Sequence, residues 1–258
     1  AKGLGTIETP YLIENKADMD LISENTAKYN TYKDYYFQVK DGVDEIDLGD
    51  FTPIGTNVSF AGHFDGNGAN FVLDINNSSK DYQALFARFD TGVIENLSVS
   101  GKVVGKSYVG GVVAYQSSGT IKNVYNTADI SAYGNYAGGI VGVIAGGVLT
   151  NAFNSGEILA NDYAGGIGYR TGGTITYCYS FGYVSTIGSS VFGVSNYESA
   201  AYRNFYDASV LVLYNAPKGK KPSTIMNDYI LDTGTLISYD MGSKGYYDSN
   251  GWILSDYV

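Results

Sequence analysis

A repeat of about 27 residues is the feature that most constrains how this chain can fold. Four copies open on a glycine followed by a short apolar stretch, at Gly92, Gly119, Gly147 and Gly173, and a weaker fifth copy starts at Ala200. A unit this short cannot bury its apolar face alone, so successive copies must stack on one another. The period therefore predicts a solenoid.

Aligning the copies produces three columns of apolar residues. The columns are Ile94, Ile121, Leu149, Ile175 and Tyr202; Val103, Ile130, Ile158 and Val184; and Val112, Ile140, Ile167 and Val194. Alternation of apolar and polar residues between turns rich in Gly, Asn and Ser indicates short strands, three per copy. Each strand would pair with its counterpart one coil away, about 4.8 Å along the axis. The predicted fold is all-β, a parallel β-helix with three-stranded coils of about 27 residues.

Two other columns carry turn-forming residues. Asparagine recurs at one position of the repeat, interrupted once by Tyr177. Stacked asparagine side chains could hydrogen-bond to one another along the axis, and asparagine tolerates a left-handed backbone at a turn. Its members are Asn96, Asn123, Asn151 and Asn204. Paired glycines recur at Gly110-Gly111, Gly138-Gly139 and Gly165-Gly166. Because no helix follows these pairs, they indicate a tight bend and not a nucleotide-binding loop.

Three stretches combine a tyrosine with such a glycine pair: Tyr108-Val-Gly-Gly-Val-Val, Tyr136-Ala-Gly-Gly-Ile-Val-Gly and Tyr163-Ala-Gly-Gly-Ile-Gly. With these stretches the chain resembles the GLUG-repeat family of bacterial cell-surface and adhesin-like proteins. Upstream, Phe60-Ala-Gly-His-Phe-Asp-Gly-Asn-Gly looks like the segment that usually precedes such repeats. The resemblance implies a right-handed parallel β-helix, used in surface proteins, in adhesins and in noncatalytic regions of some immunoglobulin-cleaving metallopeptidases. It implies no catalytic residue.

The ends of an open solenoid need caps, because they would otherwise expose strand edges and apolar core. We divide the chain into an N-terminal cap with the first strands (residues 1–52), the β-helix (53–207) and a C-terminal cap or extension (208–258). A helix from Asp18 to Lys28, with Asp18 as its N-cap, is expected to close the first coil. A second short helix is predicted from Ser223 to Leu231.

The composition excludes several functions. One cysteine cannot form an internal disulfide, and one histidine cannot supply a His-rich metal cage or a zinc-peptidase motif. With 26 acidic against 16 basic residues and a net charge of -10, we expect no binding to nucleic acid. No stretch of about 18 apolar residues is present, so no membrane insertion is expected within this segment. High Gly, Tyr, Asn and Ser with almost no Cys is typical of an extracellular bacterial module, secreted or at the cell surface.

Carboxylates provide the only metal candidates. The densest acidic cluster contains Asp41, Asp44 and Asp47, which could bind calcium through oxygen ligands. Alternation with Ile46 and Leu48 favours a solvated strand face instead, so we predict no cofactor and keep calcium as the alternative.

Catalysis on the same fold is the alternative function. A polysaccharide lyase or hydrolase would need paired carboxylates, or bound calcium with an Arg or Lys base. Asp129 beside Glu157 is the like-charged pair in the columns, and Arg170 and Arg203 are candidate bases. His63 is expected to face outward beside Asp65 and to be structural. We predict a noncatalytic protein with a solvated charged surface.

Tyrosine is the residue type most open to a functional interpretation. Tyr82, Tyr108, Tyr136 and Tyr163 share one column, and they are the predicted binding residues. An exposed aromatic strip would suit a host or community glycan or a surface protein. The alternative is that the rings pack beside the glycine bend and fasten neighbouring coils together. The predicted function is therefore an adhesin-like binding surface or a rigid spacer that presents other domains.

A second aromatic column is predicted from Tyr125, Phe153, Tyr179 and Tyr206, to which the same two interpretations apply. The neighbouring column contains Leu97, Val124, Ala152, Cys178 and Phe205. A cysteine among these residues is expected to be a small buried apolar side chain and not a nucleophile.

Overall fold

The protein forms a parallel β-solenoid, as a computed structural model shows. The structure describes residues 3–180, 182–188 and 190–196, together with three short strands further on. Strands pair in a 16-stranded sheet and two 4-stranded sheets, and each pair of strands in the described part is parallel. The predicted fold class is confirmed.

The elements follow one another coil by coil. The N-terminal part has strand Tyr11–Ile13, helix Lys16–Ala27, and strands Tyr36–Val39 and Glu45–Gly49. The next coils contain His63–Asp65, Asn70–Asn76 and Phe86–Phe89, then Val93–Gly105, Val109–Gly110 and Val113–Gln116. Two complete coils follow, with Thr120–Asn126, Asp129–Ala132, Tyr136–Gly138 and Val141–Ile144, then Val148–Asn154, Ile158–Ala160, Tyr163–Gly165 and Gly168–Arg170. The last strands are Thr174–Thr176, Tyr179–Ser180, Val184–Thr186, Ser190–Phe192, Phe205–Tyr206, Leu211–Leu213 and Tyr229–Ile230.

The register confirms the apolar columns wherever the structure describes them. Ile121 pairs with Ile94 on one side and with Leu149 on the other, and Ile130 likewise lies between Val103 and Ile158. All six side chains are completely buried. Tyr202, Arg203 and Asn204 lie outside the described residues, as does most of the predicted C-terminal cap. The predicted helix from 223 to 231 is wrong at Tyr229–Ile230, which form a strand.

The third apolar column lies at a bend and not within a strand. The amide of Val112 donates to the carbonyl of Ile140 at 3.0 Å, and that of Ile140 to Ile167 at 3.0 Å. Strands lie on both sides of this bend, so each complete coil has four strand segments where the sequence predicted three. The glycine pair explains the division, because a Cβ atom on Gly139 would overlap the carbonyl oxygen of Gly166 and the amide of Asn154. Lack of space, and not a positive φ, requires glycine here.

The predicted asparagine ladder is present. Asn123 donates its amide to Asn96 at 3.0 Å, and Asn151 donates to Asn123 at 2.6 Å. The three residues have φ of 54°, 55° and 52°, and Tyr177 continues the left-handed position at 54°. Asparagine tolerates this backbone better than most residues, which explains its recurrence. Asp65 ends the ladder by accepting the amide of Asn96 at 3.0 Å.

A second amide ladder inside the core was not predicted. Asn126 donates to Asn154 at 2.8 Å, and Asn154 donates to the Ser180 hydroxyl at 3.3 Å. Asn126 and Asn154 are both completely buried. Each also bonds the backbone two residues ahead, so that the Asn154 side chain accepts from the Gly156 amide at 3.2 Å and donates to its carbonyl at 3.1 Å. These bonds satisfy polar groups that would otherwise be stranded in the core.

The N-terminal helix closes the first coil, but its predicted N-cap is wrong. The helix runs Lys16–Ala27, and the Asn15 side chain accepts from the amides of Ala17 at 2.9 Å and Asp18 at 3.3 Å. Asp18 instead lies in the first turn, where its carboxylate accepts the Glu14 amide at 2.9 Å. Met19 is completely buried in the core beneath this helix. No helix among the described residues is both long and apolar enough to cross a membrane.

The second aromatic column is real but changes register at its end. Tyr125 and Phe153 stack at 4.5 Å, and Phe153 and Tyr179 at 4.4 Å. Tyr179 then pairs with Phe205, so the predicted alignments of Tyr206 with Tyr179 and of Phe205 with Cys178 are wrong by one residue. Cys178 is completely buried, as predicted.

Candidate functional site

The four tyrosines of the predicted binding column form a continuous stack, which we call the tyrosine ladder: Tyr82, Tyr108, Tyr136 and Tyr163. Ring centroids of successive members are 4.7, 5.4 and 5.3 Å apart. Tyr136 pairs with Tyr163 in the register of the two strands that they begin. All four side chains are partly buried. The structure thus brings together all the predicted binding residues.

Two further tyrosines, which the sequence analysis missed, pack beside the ladder from the next strand of each coil. Tyr115 meets Tyr82 and Tyr108 edge-on, with centroids 6.2 and 6.0 Å away and interplanar angles of 84° and 78°. Tyr169 lies 4.7 Å from Tyr136 and 5.0 Å from Tyr163. Tyr115 and Tyr169 share a column in which Val143 stands between them, so tyrosine recurs only at every second coil.

The orientation of the rings decides what the ladder can present to a ligand. Tyr82 and Tyr108 are within 7° of parallel, and Tyr136 and Tyr163 within 16°, while Tyr108 and Tyr136 are inclined by 36°. Each inner ring has a neighbouring ring on both sides, at centroid distances of 4.7–5.4 Å, so its edge and its hydroxyl are the parts left to face outward. The guanidinium of Arg88 lies 4.3 Å from the centroid of Tyr82 and makes a cation–π contact at this end of the stack. A sugar ring therefore has no free inner face of the ladder on which to stack.

The hydroxyls are the polar groups of this surface. In the part of the chain that the structure describes, no side-chain or backbone group hydrogen-bonds to the hydroxyls of the ladder. Burial raises the pKa of Tyr108, Tyr136 and Tyr169 above 10.0, and neighbouring phenols raise it further. The phenols are therefore protonated at neutral pH and can donate as well as accept hydrogen bonds.

Two members of the ladder have an unusual backbone. Tyr82 has φ of 60° and Tyr108 has φ of 57°, a left-handed conformation that is rare for a bulky residue. The backbone is fixed between coils, since the Tyr82 amide donates to the Ser107 carbonyl at 2.9 Å. Such strain costs about 1–3 kcal/mol per residue and persists only when the surroundings impose it. No pattern in the sequence identifies this feature.

The calcium candidates Asp41, Asp44 and Asp47 are exposed, and the carboxylates of Asp41 and Asp47 bond to different partners. The Asp41 carboxylate accepts the amide of Asn67 at 2.9 Å, and that of Asp47 accepts the backbone amide of Gly49 at 3.0 Å. Among the described residues, no group of three or more His, Cys, Asp or Glu side chains is placed to hold a metal ion. Ile46 and Leu48 face the core between the acidic residues, as the alternation predicted.

The candidate catalytic groups are held in structural contacts. Asp129 accepts the backbone amide of Glu157 at 3.2 Å, and both side chains are exposed. Arg170 donates from Nε and Nη2 to the carbonyl of Gly173 at 2.8 and 2.6 Å. His63 stacks on Tyr36 with centroids 4.2 Å apart.

The basic and acidic columns pair as cross-strand neighbours. Lys122 lies 2.9 Å from Glu95 in an ion pair of partly exposed side chains. Such a pair contributes a few tenths of a kcal/mol to stability. Its position matches the predicted solvated surface.

Comparison with known proteins supports the fold and the repeat. A family model for the GLUG motif matches residues 105–131, which confirms the resemblance found in the sequence. Halomucin of Haloquadratum walsbyi is 34% identical over 141 residues, 50% of this chain and 2% of that protein. A Gly-rich membrane protein of Evansella cellulosilytica is 34% identical over 135 residues, 48% of this chain and 15% of that protein. The chain thus spans a small part of the curated relatives that it matches.

A solved structure resembles the whole solenoid. A crystal structure described as a candidate immunoglobulin A1 protease from Bacteroides ovatus has a TM-score of 0.65, at 20% sequence identity. The likeness covers 92% of this chain and 89% of the other. At this identity the likeness supports the fold alone.

Proposed function

Because this chain carries the GLUG motif on a parallel β-solenoid, we propose that it is a noncatalytic, extracellular module of a bacterial surface protein that binds a ligand along the tyrosine ladder. The observation that carries the proposal is the row of outward ring edges and unpaired hydroxyls along Tyr82, Tyr108, Tyr136 and Tyr163. Aromatic residues with one polar end are enriched at protein interfaces because they combine apolar area with hydrogen bonding.

The solenoid suits presentation of that surface at a distance from a cell. One core cluster extends from Ile13 to Val194, so the described coils share a single continuous core. A stacked core of this kind resists bending between coils and makes a rigid spacer. The spacer role and the binding role therefore use different parts of the same coil, the inside and the outside.

The ring orientation restricts how a ligand could bind. Since the inner faces of the ladder are occupied, the ligand would be recognised by the hydroxyl row and the ring edges. A glycan or an extended segment of a surface protein offers the acceptors that such donors need. Removing hydroxyls without removing rings should therefore weaken binding.

A binding screen on glycans and extracellular-matrix proteins, with and without calcium, tests the proposal. The double variant Tyr108→Phe/Tyr136→Phe removes two hydroxyls, and the matched control Tyr133→Phe removes one from an isolated tyrosine that is 70% exposed. We expect at least about a tenfold loss of affinity in the double variant, or 1.4 kcal/mol, and no change in the control. Equal affinity for both variants would reject the ladder as the site.

The enzyme alternative is tested on the same samples. A carbohydrate-active enzyme would release products from a polysaccharide that it binds, and the structural relative described as a protease makes immunoglobulin A1 a second substrate to include. Cleavage that persists after repurification would overturn the noncatalytic proposal. Binding at no target, with an intact fold, would leave only the spacer role.

A further inference from the structure

We infer that the tyrosine ladder is a site of oxidative cross-linking, at which one-electron oxidants join neighbouring coils through dityrosine bonds. The inference does not depend on the proposed binding function. It follows from phenol rings of different coils lying side by side, partly exposed to solvent and in van der Waals reach of one another.

The distances favour coupling within this set over coupling between the tyrosines at the N-terminal end. Tyr82 and Tyr108 are 4.7 Å apart between centroids, and Tyr136 and Tyr169 are also 4.7 Å apart. Tyr136 and Tyr169 are inclined by 41°, so that one ring edge approaches the other ring. The Tyr11 and Tyr35 pair at the N-terminal end is wider, at 5.9 Å.

The second aromatic column provides an internal control. Tyr125, Phe153 and Tyr179 stack at 4.5 and 4.4 Å, as closely as the ladder does. Phenylalanine has no hydroxyl and forms no phenoxyl radical, so Phe153 separates the two phenols. Stacking is therefore present in both columns, but these two contacts of the second column each include Phe153, whereas the contacts of the ladder join two phenols.

The chemistry is balanced with a peroxide as oxidant. Each of two phenols gives up one hydrogen atom, a proton and an electron, and becomes a phenoxyl radical. The radicals couple by forming one carbon–carbon bond between ortho positions, and the two displaced ring hydrogens return to the oxygens. One hydrogen peroxide accepts the two hydrogen atoms and is reduced to two waters, with a haem peroxidase as the catalyst.

Such bonds would do for this chain what disulfides do for other extracellular proteins. A single cysteine, Cys178, cannot cross-link the chain internally, whereas the sequence has 25 tyrosines. A bond between Tyr108 and Tyr136 would close a loop of one coil. By loop-entropy arguments such a closure raises the melting temperature by about 5–10 °C in a protein of this size.

The test treats the whole chain at low micromolar concentration with peroxidase and hydrogen peroxide. Dityrosine is measured by its fluorescence, and cross-linked peptides are identified by mass spectrometry. The variants are Tyr108→Phe/Tyr136→Phe, which leaves the rings stacked but separates Tyr82 from Tyr163 and Tyr169, and Tyr133→Phe as the control at an exposed site. Circular dichroism checks that each variant folds.

We expect intramolecular cross-links among Tyr82, Tyr108, Tyr136, Tyr163 and Tyr169, at a yield per chain that does not change on tenfold dilution. The double variant should lose at least about two thirds of this yield, since only the Tyr163 and Tyr169 pair and the wider, edge-on Tyr82 and Tyr115 pair remain adjacent in this set. The control should lose none. Cross-links that form only between chains would overturn the inference, and so would cross-links that map to Tyr29 and Tyr133, two exposed tyrosines outside the ladder. So would an equal yield in the double variant.

Discussion

Replacing Asn154 with leucine should destabilise the solenoid more than any surface substitution, because this side chain bonds to four buried polar groups. It accepts from Asn126 at 2.8 Å and from the Gly156 amide at 3.2 Å, and it donates to the Gly156 carbonyl at 3.1 Å and to the Ser180 hydroxyl at 3.3 Å. Leucine is close in size and removes all four bonds. Asn126 keeps its bond to the Ala128 carbonyl, so its side chain is only partly orphaned.

The magnitude follows from the groups that lose their partners. A buried donor or acceptor left unsatisfied costs about 1–3 kcal/mol, and a value near the middle of that range, about 1.5–2 kcal/mol, gives about 3–6 kcal/mol for two to three groups. Burial of the leucine side chain offsets about 1–2 kcal/mol of this cost. The expected net destabilisation is about 2–4 kcal/mol. The matched control is Asn135→Leu at an exposed position, for which we expect a change within about 0.5 kcal/mol.

Equilibrium unfolding in urea provides the measurement, followed by circular dichroism and by tyrosine fluorescence. The two probes must agree, since stacked repeats do not always unfold in one step. Hydrogen exchange gives a local check, because the Gly156 amide should lose its protection in the variant. A net change below about 1 kcal/mol, with Gly156 still protected, would refute the argument that the inner ladder satisfies the core.

Four further predictions test other parts of the structure. Gly139→Val should cost at least about 3 kcal/mol, because its side chain would overlap the Gly166 carbonyl, and a melt that matches the unsubstituted protein would contradict this placement. Burial raises the folded-state pKa of Tyr136 above 10.0. The neutral Tyr136 phenol therefore contributes fully to the stability of the folded protein below pH 10, and this contribution is lost as the pH rises further. Tyr136→Phe should lessen the fall in the urea midpoint between pH 9 and 11. Asn15→Ala should cost about 1 kcal/mol in urea unfolding, through loss of the N-cap. Adding calcium should leave the melting temperature unchanged, whereas a saturable rise removed by Asp→Asn changes would restore the metal candidates Asp41, Asp44 and Asp47.

The apolar columns were predictable because strand pairing between identical coils permits only one register. A shift of one residue would turn Ile121 from the core to solvent, so the repeat itself encodes the pairing with Ile94 and Leu149. The outer asparagine column was predictable for a similar reason, since its left-handed backbone favours one residue type. Where the repeat weakens, as near Cys178 and Phe205, the alignment failed by one residue.

The inner amide ladder was not predictable because its column mixes residue types. Val99, Asn126, Asn154 and Ser180 occupy equivalent positions, and the valine hides the polar pattern. The helix N-cap failed for a different reason. Asn15 and Asp18 are both good N-cap residues three positions apart, and hydrogen bonding to the Ala17 amide, which the sequence does not show, selects Asn15.

The sequence allowed two interpretations of the ladder, packing between coils and ligand binding, and the two are compatible. Stacking along the axis uses the ring faces, which is what fastens one coil to the next. The same stacking leaves the hydroxyls of Tyr108 and Tyr136 without a hydrogen-bond partner among the described residues. Tyr115 packs against Tyr108, and Tyr169 packs against Tyr136, each from a neighbouring strand. A substitution by alanine would remove packing and binding together, whereas phenylalanine keeps the stack and removes the hydroxyl. The loss of binding in Tyr→Phe variants with unchanged stability would therefore separate the two roles that the sequence could not.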